Sequence, residues 1–298
     1  MKLGRVTERS HEILGALARV IVGKGDVLER ILAGILANGH VLIEDYPGLA
    51  KTLIARLFAQ ALGLSFKRLQ CTPDLLPADV TGSFLFDQRQ ARFEFRPGPV
   101  FTHLLLADEI NRATPKTQAA LLEAMQEHHV TAGSHTYPLP EAQLDRFLIR
   151  VAVGYPTAEE ERQILERRRQ RRQEEVELPA IVSREEILAM QQALEDVFVA
   201  DVVTQYVVDL AQATRGDHRI ALGASPRGAL ALLKLARAGA VLRGRDFVTP
   251  DDVKAMAGPA LAHRLILQPE LWVTKLSAAQ VVGDLLTQVP APKTEETG

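Results

Sequence analysis

The first half of the chain alternates between two periods, and that alternation leaves few folds open. Strand-length apolar runs stand at HVLIED (40 to 45), SFKRLQC (65 to 71), THLLLAD (102 to 108) and FLIRVAVG (147 to 154). Between them, 51 to 62 and 115 to 128 carry apolar residues every three to four positions, the spacing of amphipathic helices. This is the pattern of a parallel sheet covered by helices. Thr114 and Pro115 suit the N-cap and first helical position of the second helix. The segment SFLFDQRQARFEFRPGPVF alternates apolar and polar residues about Asp87 to Gln90, which predicts a hairpin inserted before the third strand.

From Tyr155 onward the strand signal gives way to helices, predicted at 157 to 176, 183 to 196, 200 to 215, 226 to 243 and 250 to 265. The second opens with the capping box Ser183-x-x-Glu186, and the last stands behind Thr249-Pro250. A boundary near residue 155 follows, with an α/β domain over 1 to 154 and a smaller all-α domain over 155 to 298 that ends in the polar tail PAPKTEETG. A chain of 298 residues, 47% of them hydrophobic, can bury cores for two such domains.

Several function classes are disfavoured by composition. A net charge of -2 offers no global field for nucleic acid or an anionic membrane. No run approaches the roughly 18 apolar residues of a membrane span, and the start MKLGRVTERSHEIL lacks the apolar core of a signal peptide, so a cytoplasmic protein with no membrane insertion is expected. The single cysteine, Cys71, rules out an intrachain disulfide and reads as a small buried hydrophobe near a strand end. The run RRRQRRQEEVE (167 to 177) has glutamates on both sides and no interleaved aromatic residues, which makes it a charge-laced solvated helix rather than a nucleic-acid patch. His128 and His129 are adjacent and share no helix face, the arrangement of a helix-end cap rather than a metal site. His103, His263 and Trp272 read as packing or surface residues.

The chemistry concentrates in two places. DYPGLAKT (45 to 52) lies between a strand and a helix, as a phosphate loop does, with Lys51 and Thr52 where the phosphate and Mg²⁺ contacts belong. Asp45 and Ala50 replace the two glycines of that motif; Ala50 is tolerable there if its φ is negative. The apolar strand ending in Asp108-Glu109 then supplies one carboxylate to hold Mg²⁺ and a second to orient and activate an attacking water.

Together, DYPGLAKT, LLLADEINRATPKTQAALLEAMQE, YPLPEAQLDRF and GASPRGALALLKLARAGAVLRGRDFVTPDDV resemble the MoxR family of AAA+ ATPases over nearly the whole chain. The resemblance implies a P-loop α/β sheet with a helical lid, a homo-hexameric ring with nucleotide between subunits, and chaperone-like remodelling of client proteins, often beside partners with a von Willebrand factor A domain. It implies ATP and Mg²⁺ as ligands, with Pro47, Gly48, Leu49, Ala50, Lys51 and Thr52 as the phosphate loop and Asp108 and Glu109 as the Walker B pair; Thr52 and Asp108 would serve the metal. Arg146 in LDRF matches the arginine finger and Arg227 in SPRG the sensor 2 arginine, with Arg112 a further interface candidate.

One departure from the family is large. AAA+ proteins place a strand ending in a polar sensor 1 residue, usually asparagine, between the Walker B helix and the finger. Here only 36 residues, counting 110 to 145, separate Glu109 from Arg146, and no apolar run ending in Asn lies among them. In the AAA+ strand order the lost strand sits between the P-loop strand and the Walker B strand, so its loss unpairs two edges. Three outcomes are open: the two strands pair directly, which is preferred; HVTAGSHTY substitutes; or the chain folds poorly. With the water-positioning residue gone, ATP binding is expected to survive better than hydrolysis. Three functions stay open as well: a ring ATPase that remodels partners, a nucleotide-binding switch or scaffold with little hydrolysis, and, least supported by the charge, a DNA motor.

Overall fold

The computed structural model describes residues 1 to 44, 48 to 88, 92 to 127, 141 to 173 and 175 to 292. In chain order the elements are α1 (Leu3–Ala18), α2 (Gly25–Leu36), β1 (Val41–Ile43), α3 (Lys51–Ala61), β2 (Phe66–Gln70), α4 (Pro77–Thr81), β3 (Gly82–Asp87), β4 (Arg92–Pro97), β5 (Leu104–Asp108), α5 (Pro115–Glu127) and β6 (Ile149–Val151). There follow α6 (Ala158–Arg171), α7 (Arg184–Ala193), α8 (Asp201–Gly216), β7 (Ile220–Leu222), α9 (Pro226–Leu242), α10 (Pro250–Leu261), β8 (Ile266–Leu267) and α11 (Ala278–Gln288). Every strand and helix that the periodicity predicts is present. The helix expected to reach 176 stops at Arg171, because Arg172 turns into the left-handed region at φ 58° and closes it.

Two compact units emerge. The larger takes in 1 to 49, 147 to 176 and 181 to 298; the smaller takes in 50 to 146 and 177 to 180. In the larger unit, β1 and β6 pair in parallel, Val41 opposite Ile149 and Ile43 opposite Val151. Helices α2 and α10 pack on β6, whose inward residues Ile149 and Val151 are buried. Four helices here begin with reciprocal caps, Thr157 with Glu160, Ser183 with Glu186, Thr249 with Asp252 and Ser277 with Gln280, each satisfying two otherwise orphaned N–H groups. The first two helices carry a stripe that periodicity alone exposes: Val6, Ser10, Ile13 and Leu17 on α1, and Val27, Leu28, Ile31, Leu32 and Leu36 on α2, are buried.

In the smaller unit, β2 and β5 pair in parallel with Phe66 opposite Leu104 and Gln70 opposite Asp108. One face of this pair, with Leu69, Leu105 and Ala107, packs on a core of Cys71, Val80, Ala113 and Leu121. Cys71 is fully buried just beyond β2, in the place its sequence context suggests. The predicted hairpin is β3 and β4, and its aromatic residues pair across the strands, Phe84 with Phe95 and Phe86 with Phe93, both at 5.2 Å between ring centroids.

The preferred outcome for the missing strand is not what the structure adopts. Among the described residues, β1 pairs with β6 and β5 with β2, no pairing joins β1 to β5, and no strand stands between β5 and β6. Each strand is held by its own unit: α2 packs on β1 and β6, and α3 on β2 and β5. The alternative substitute, HVTAGSHTY, and the pair His128-His129 lie outside the described residues.

Candidate nucleotide site

The phosphate loop is described from Gly48 onward; Asp45, Tyr46 and Pro47 lie outside the described residues. Gly48 has φ 85°, a conformation natural to glycine. Ala50 has φ 56° and ψ 18°, so the condition under which an alanine is readily tolerated there, a negative φ, is not met. The glycine of the usual motif is absent, but the backbone keeps the left-handed turn that glycine serves, and an alanine there carries about 1 to 2 kcal/mol of strain. The physical reason is the chain reversal into α3, whose first full turn closes through the Ile54 N–H donating to the Ala50 carbonyl at 2.9 Å. Ala50 is the N-cap and supplies no side-chain cap, so the first N–H groups of an 11-residue helix point outward with the positive end of its dipole. Lys51 and Thr52 stand in that first turn. These are the donors a phosphate needs.

Helix α3 packs against β2 and β5. Strand alternation puts Leu69, Leu105 and Ala107 on the core face, so Arg68, Gln70, Leu106 and Asp108 share the other one. On it a polar chain forms. An Arg68 Nη2 donates to Asp108 Oδ2 at 2.7 Å and to Gln70 Oε1 at 2.9 Å, and Gln70 Nε2 donates to Glu109 Oε2 at 2.8 Å. Arg112 also faces Glu109, at 3.3 Å, within its own chain. Glu109 follows the strand with φ 55° and ψ 43°, a left-handed conformation that turns its side chain away from the ladder's alternation. Asp108 keeps 21% of its side-chain surface and Glu109 39%, so both carboxylates can be reached from solvent. Beneath them the Cys71 N–H donates to the Asp108 carbonyl at 2.9 Å, and its thiol pKa is pushed up by burial and then by the negative charges of Asp108 and Glu109.

Among the described residues no three His, Cys, Asp or Glu side chains gather into a metal site. A Mg²⁺ held through one carboxylate, one hydroxyl and phosphate oxygens needs no such cluster. A cation fits at Asp108, since the Arg68 guanidinium already places one there. Arg146 ends a 3-10 turn, Glu141–Arg146, that packs on α5. Arg227 belongs to the larger unit, exposed in the first turn of α9 after Ser225 and Pro226. The structure therefore brings Lys51, Thr52, Asp108 and Glu109 onto packed elements of one unit.

Arg68, Gln70 and Arg264 are missing from the sequence-derived site. The alternation in SFKRLQC puts Arg68 and Gln70 on one face, but only the parallel register shows that Asp108 is on it too. Arg264 is buried, donates to the Phe147 carbonyl at 2.7 Å, and with His263 holds the chain directly after Arg146. His263 is thus a packing residue, as expected, while His103 is exposed and hydrogen-bonds Ser65 at 2.8 Å.

Comparison with known proteins fixes the class. The model of the AAA ATPase family associated with various cellular activities matches residues 40 to 136, and that of the AAA lid domain matches 212 to 284. A crystal structure described as a candidate ATPase from Cytophaga hutchinsonii superposes with a TM-score of 0.88 at 34% identity, covering 97% of this chain and 96% of that one. The chain has the AAA+ ATPase fold with its lid domain. Chaperone MoxR1 of Mycobacterium tuberculosis is 40% identical over 92% of this chain and 80% of its own length, and Protein MoxR of Methylorubrum extorquens is 31% identical over 93% of each. The uncharacterized protein YeaC of Bacillus subtilis is 41% identical over 96% of this chain and 97% of its own. The chain belongs to the MoxR family of AAA+ ATPases. The match to YeaC runs over 310 positions, more than the 298 residues of this chain, so YeaC carries residues without a counterpart here.

Proposed function

We propose that this chain binds ATP with Mg²⁺ and couples its turnover to chaperone-like remodelling of client proteins, as a homo-hexameric ring in the cytoplasm. Partners with a von Willebrand factor A domain, or other clients, are the proteins it would act on. We keep 1 to 154 as the nucleotide-binding domain and 155 to 298 as the lid. The observation that carries the reading is the uncapped start of α3 with Lys51 and Thr52, packed on the strand that ends in Asp108, with Glu109 directly after it. Lys51 and the N–H groups of the loop hold the phosphates, and Thr52 and Asp108 hold the metal. Bound Mg²⁺ neutralises charge that develops on the phosphates. Glu109 accepts a hydrogen bond from the attacking water and draws off its proton. Arg146 is offered to the neighbouring subunit's nucleotide, and Arg227 reaches the phosphates from the lid. A finger of this kind is worth about 10³ to 10⁵ in rate, so turnover depends on assembly.

A switch with slow hydrolysis is a second reading, supported by the absent sensor 1 asparagine and by both Walker B carboxylates being engaged by Arg68, Gln70 and Arg112. Glu109→Gln decides between them. For an ATPase, phosphate release falls by about 10²- to 10⁴-fold while a non-hydrolysable ATP analogue still binds. Turnover that does not change in Glu109→Gln sinks the ATPase reading and leaves the switch.

A further inference from the structure

Asp108 has a cation at 2.7 Å, and it comes from the neighbouring strand of its own sheet. The geometry follows from register: Arg68 lies opposite Leu106, two residues short of Asp108 on the same face, a diagonal that a long side chain spans. The guanidinium also fixes what lies beyond it. By donating to Gln70 Oε1 it sets which end of that amide is the acceptor, which leaves Gln70 Nε2 to donate to Glu109. One side chain therefore touches the proposed metal ligand directly and the proposed base through an intermediary. Arg68 keeps 48% of its side-chain surface, so it can swing into solvent without opening the core.

We propose that Arg68 is a positioning residue of the nucleotide site, a tethered counter-cation that occupies Asp108 until Mg²⁺ arrives and that must be displaced for the metal to bind. The proposal rests on the reading of Asp108 as a metal ligand. Two cations within contact of one carboxylate repel each other, so the metal and the guanidinium compete for it. Displacing Arg68 also removes the acceptor-side bond that orients the Gln70 amide, and loosens the restraint on Glu109. The Mg²⁺ concentration needed to load the site is therefore set partly by β2, a strand that supplies none of the proposed ligands.

The test uses the full chain and a fluorescent, non-hydrolysable ATP analogue. Binding of the analogue is followed as Mg²⁺ is raised, and the half-saturating Mg²⁺ concentration is read; chelation by free analogue is common to all variants. In Arg68→Gln it falls by about two- to fivefold, the range of a partly exposed ion pair. Arg68→Lys keeps the charge and stays closer to wild type than Arg68→Gln does. Asp108→Asn raises the value with either residue at 68. An unchanged or raised value in Arg68→Gln, with Asp108→Asn still weakening the metal, overturns the role of Arg68 and leaves the metal ligand standing. An Asp108→Asn variant with wild-type metal dependence overturns the ligand and the proposal with it. Melting of each variant without metal separates these outcomes from loss of fold.

Discussion

Among the described residues two parallel strand pairs form, β1 with β6 and β2 with β5, and the apolar strands β6 and β5 within them are buried very differently. In β6, Ile149 and Val151 keep 0% and 1% of their surface under α2 and α10. In β5, LLLAD, all five residues are only half-buried, and in β2 Leu69 alone is buried. An unbroken apolar run of this kind suits a strand covered on both faces and paired on both edges. The face of β5 with Leu105 and Ala107 packs on the Cys71 core, α3 packs on the strand as well, and among the described residues β5 is paired on one edge alone. The burial that the sequence of β5 calls for is incomplete. On the face away from the Cys71 core, Arg68 and Gln70 reach Asp108 and Glu109.

The largest effect expected from this contrast is in stability. Ile149→Ala should cost about 2 to 5 kcal/mol in urea unfolding, since it leaves a cavity in packed surroundings, while Leu106→Ala should cost about 1 kcal/mol because its side chain is only partly withdrawn from water. Equal costs would show that some other surface covers β5, and the contrast would fall.

A middle-sized effect tests whether the larger unit is as tightly specified in its polar groups. Burial pushes the Asp252 carboxyl up, but hydrogen bonds from Arg245 and from the Thr249 backbone and hydroxyl more than offset it and hold its pKa below the ordinary value of 3.8. A folded-state pKa lowered in this way contributes stability above the unfolded value that is lost as the pH falls through the folded one. Asp252→Asn should cost about 2 kcal/mol at neutral pH. The gap to wild type should close as the pH drops below about 4. A gap that stays constant down to pH 3 would mean that the charge of Asp252 is not what stabilises the fold.

The smallest effect concerns the loop. Ala50→Gly relieves the left-handed strain and adds unfolded-state freedom, for a net gain of about 0.5 to 1 kcal/mol in thermal melting. A loss of stability would show that the methyl group packs against something that repays its conformation.

Much of the fold is legible in the sequence because it is local. Thr249 with Asp252, Ser183 with Glu186, and the three-to-four spacing of α3, α5, α8, α9 and α10 are set by residues within a turn or two of each other, and the structure keeps them. Helices α1 and α2 carry the same signal in Val6, Ser10, Ile13 and Leu17 and in Val27, Leu28, Ile31 and Leu32, and a search for stripes finds them. The small β7 and β8 pair is not legible in this way, since each strand is too short for a period and is defined by its partner.

The site divides along the same line. Lys51, Thr52, Asp108 and Glu109 can be named from sequence because a phosphate loop and a strand-end carboxylate pair are short contiguous phrases, and the absence of an apolar run ending in Asn before Arg146 is equally a property of the string. Only the tertiary structure decided that Ala50 takes a left-handed backbone, that β1 pairs with β6 and β5 with β2, and that Arg68 sits on Asp108. Each of these depends on strand register or on packing between residues tens of positions apart, and a local pattern carries no information about which distant edge or face it will meet.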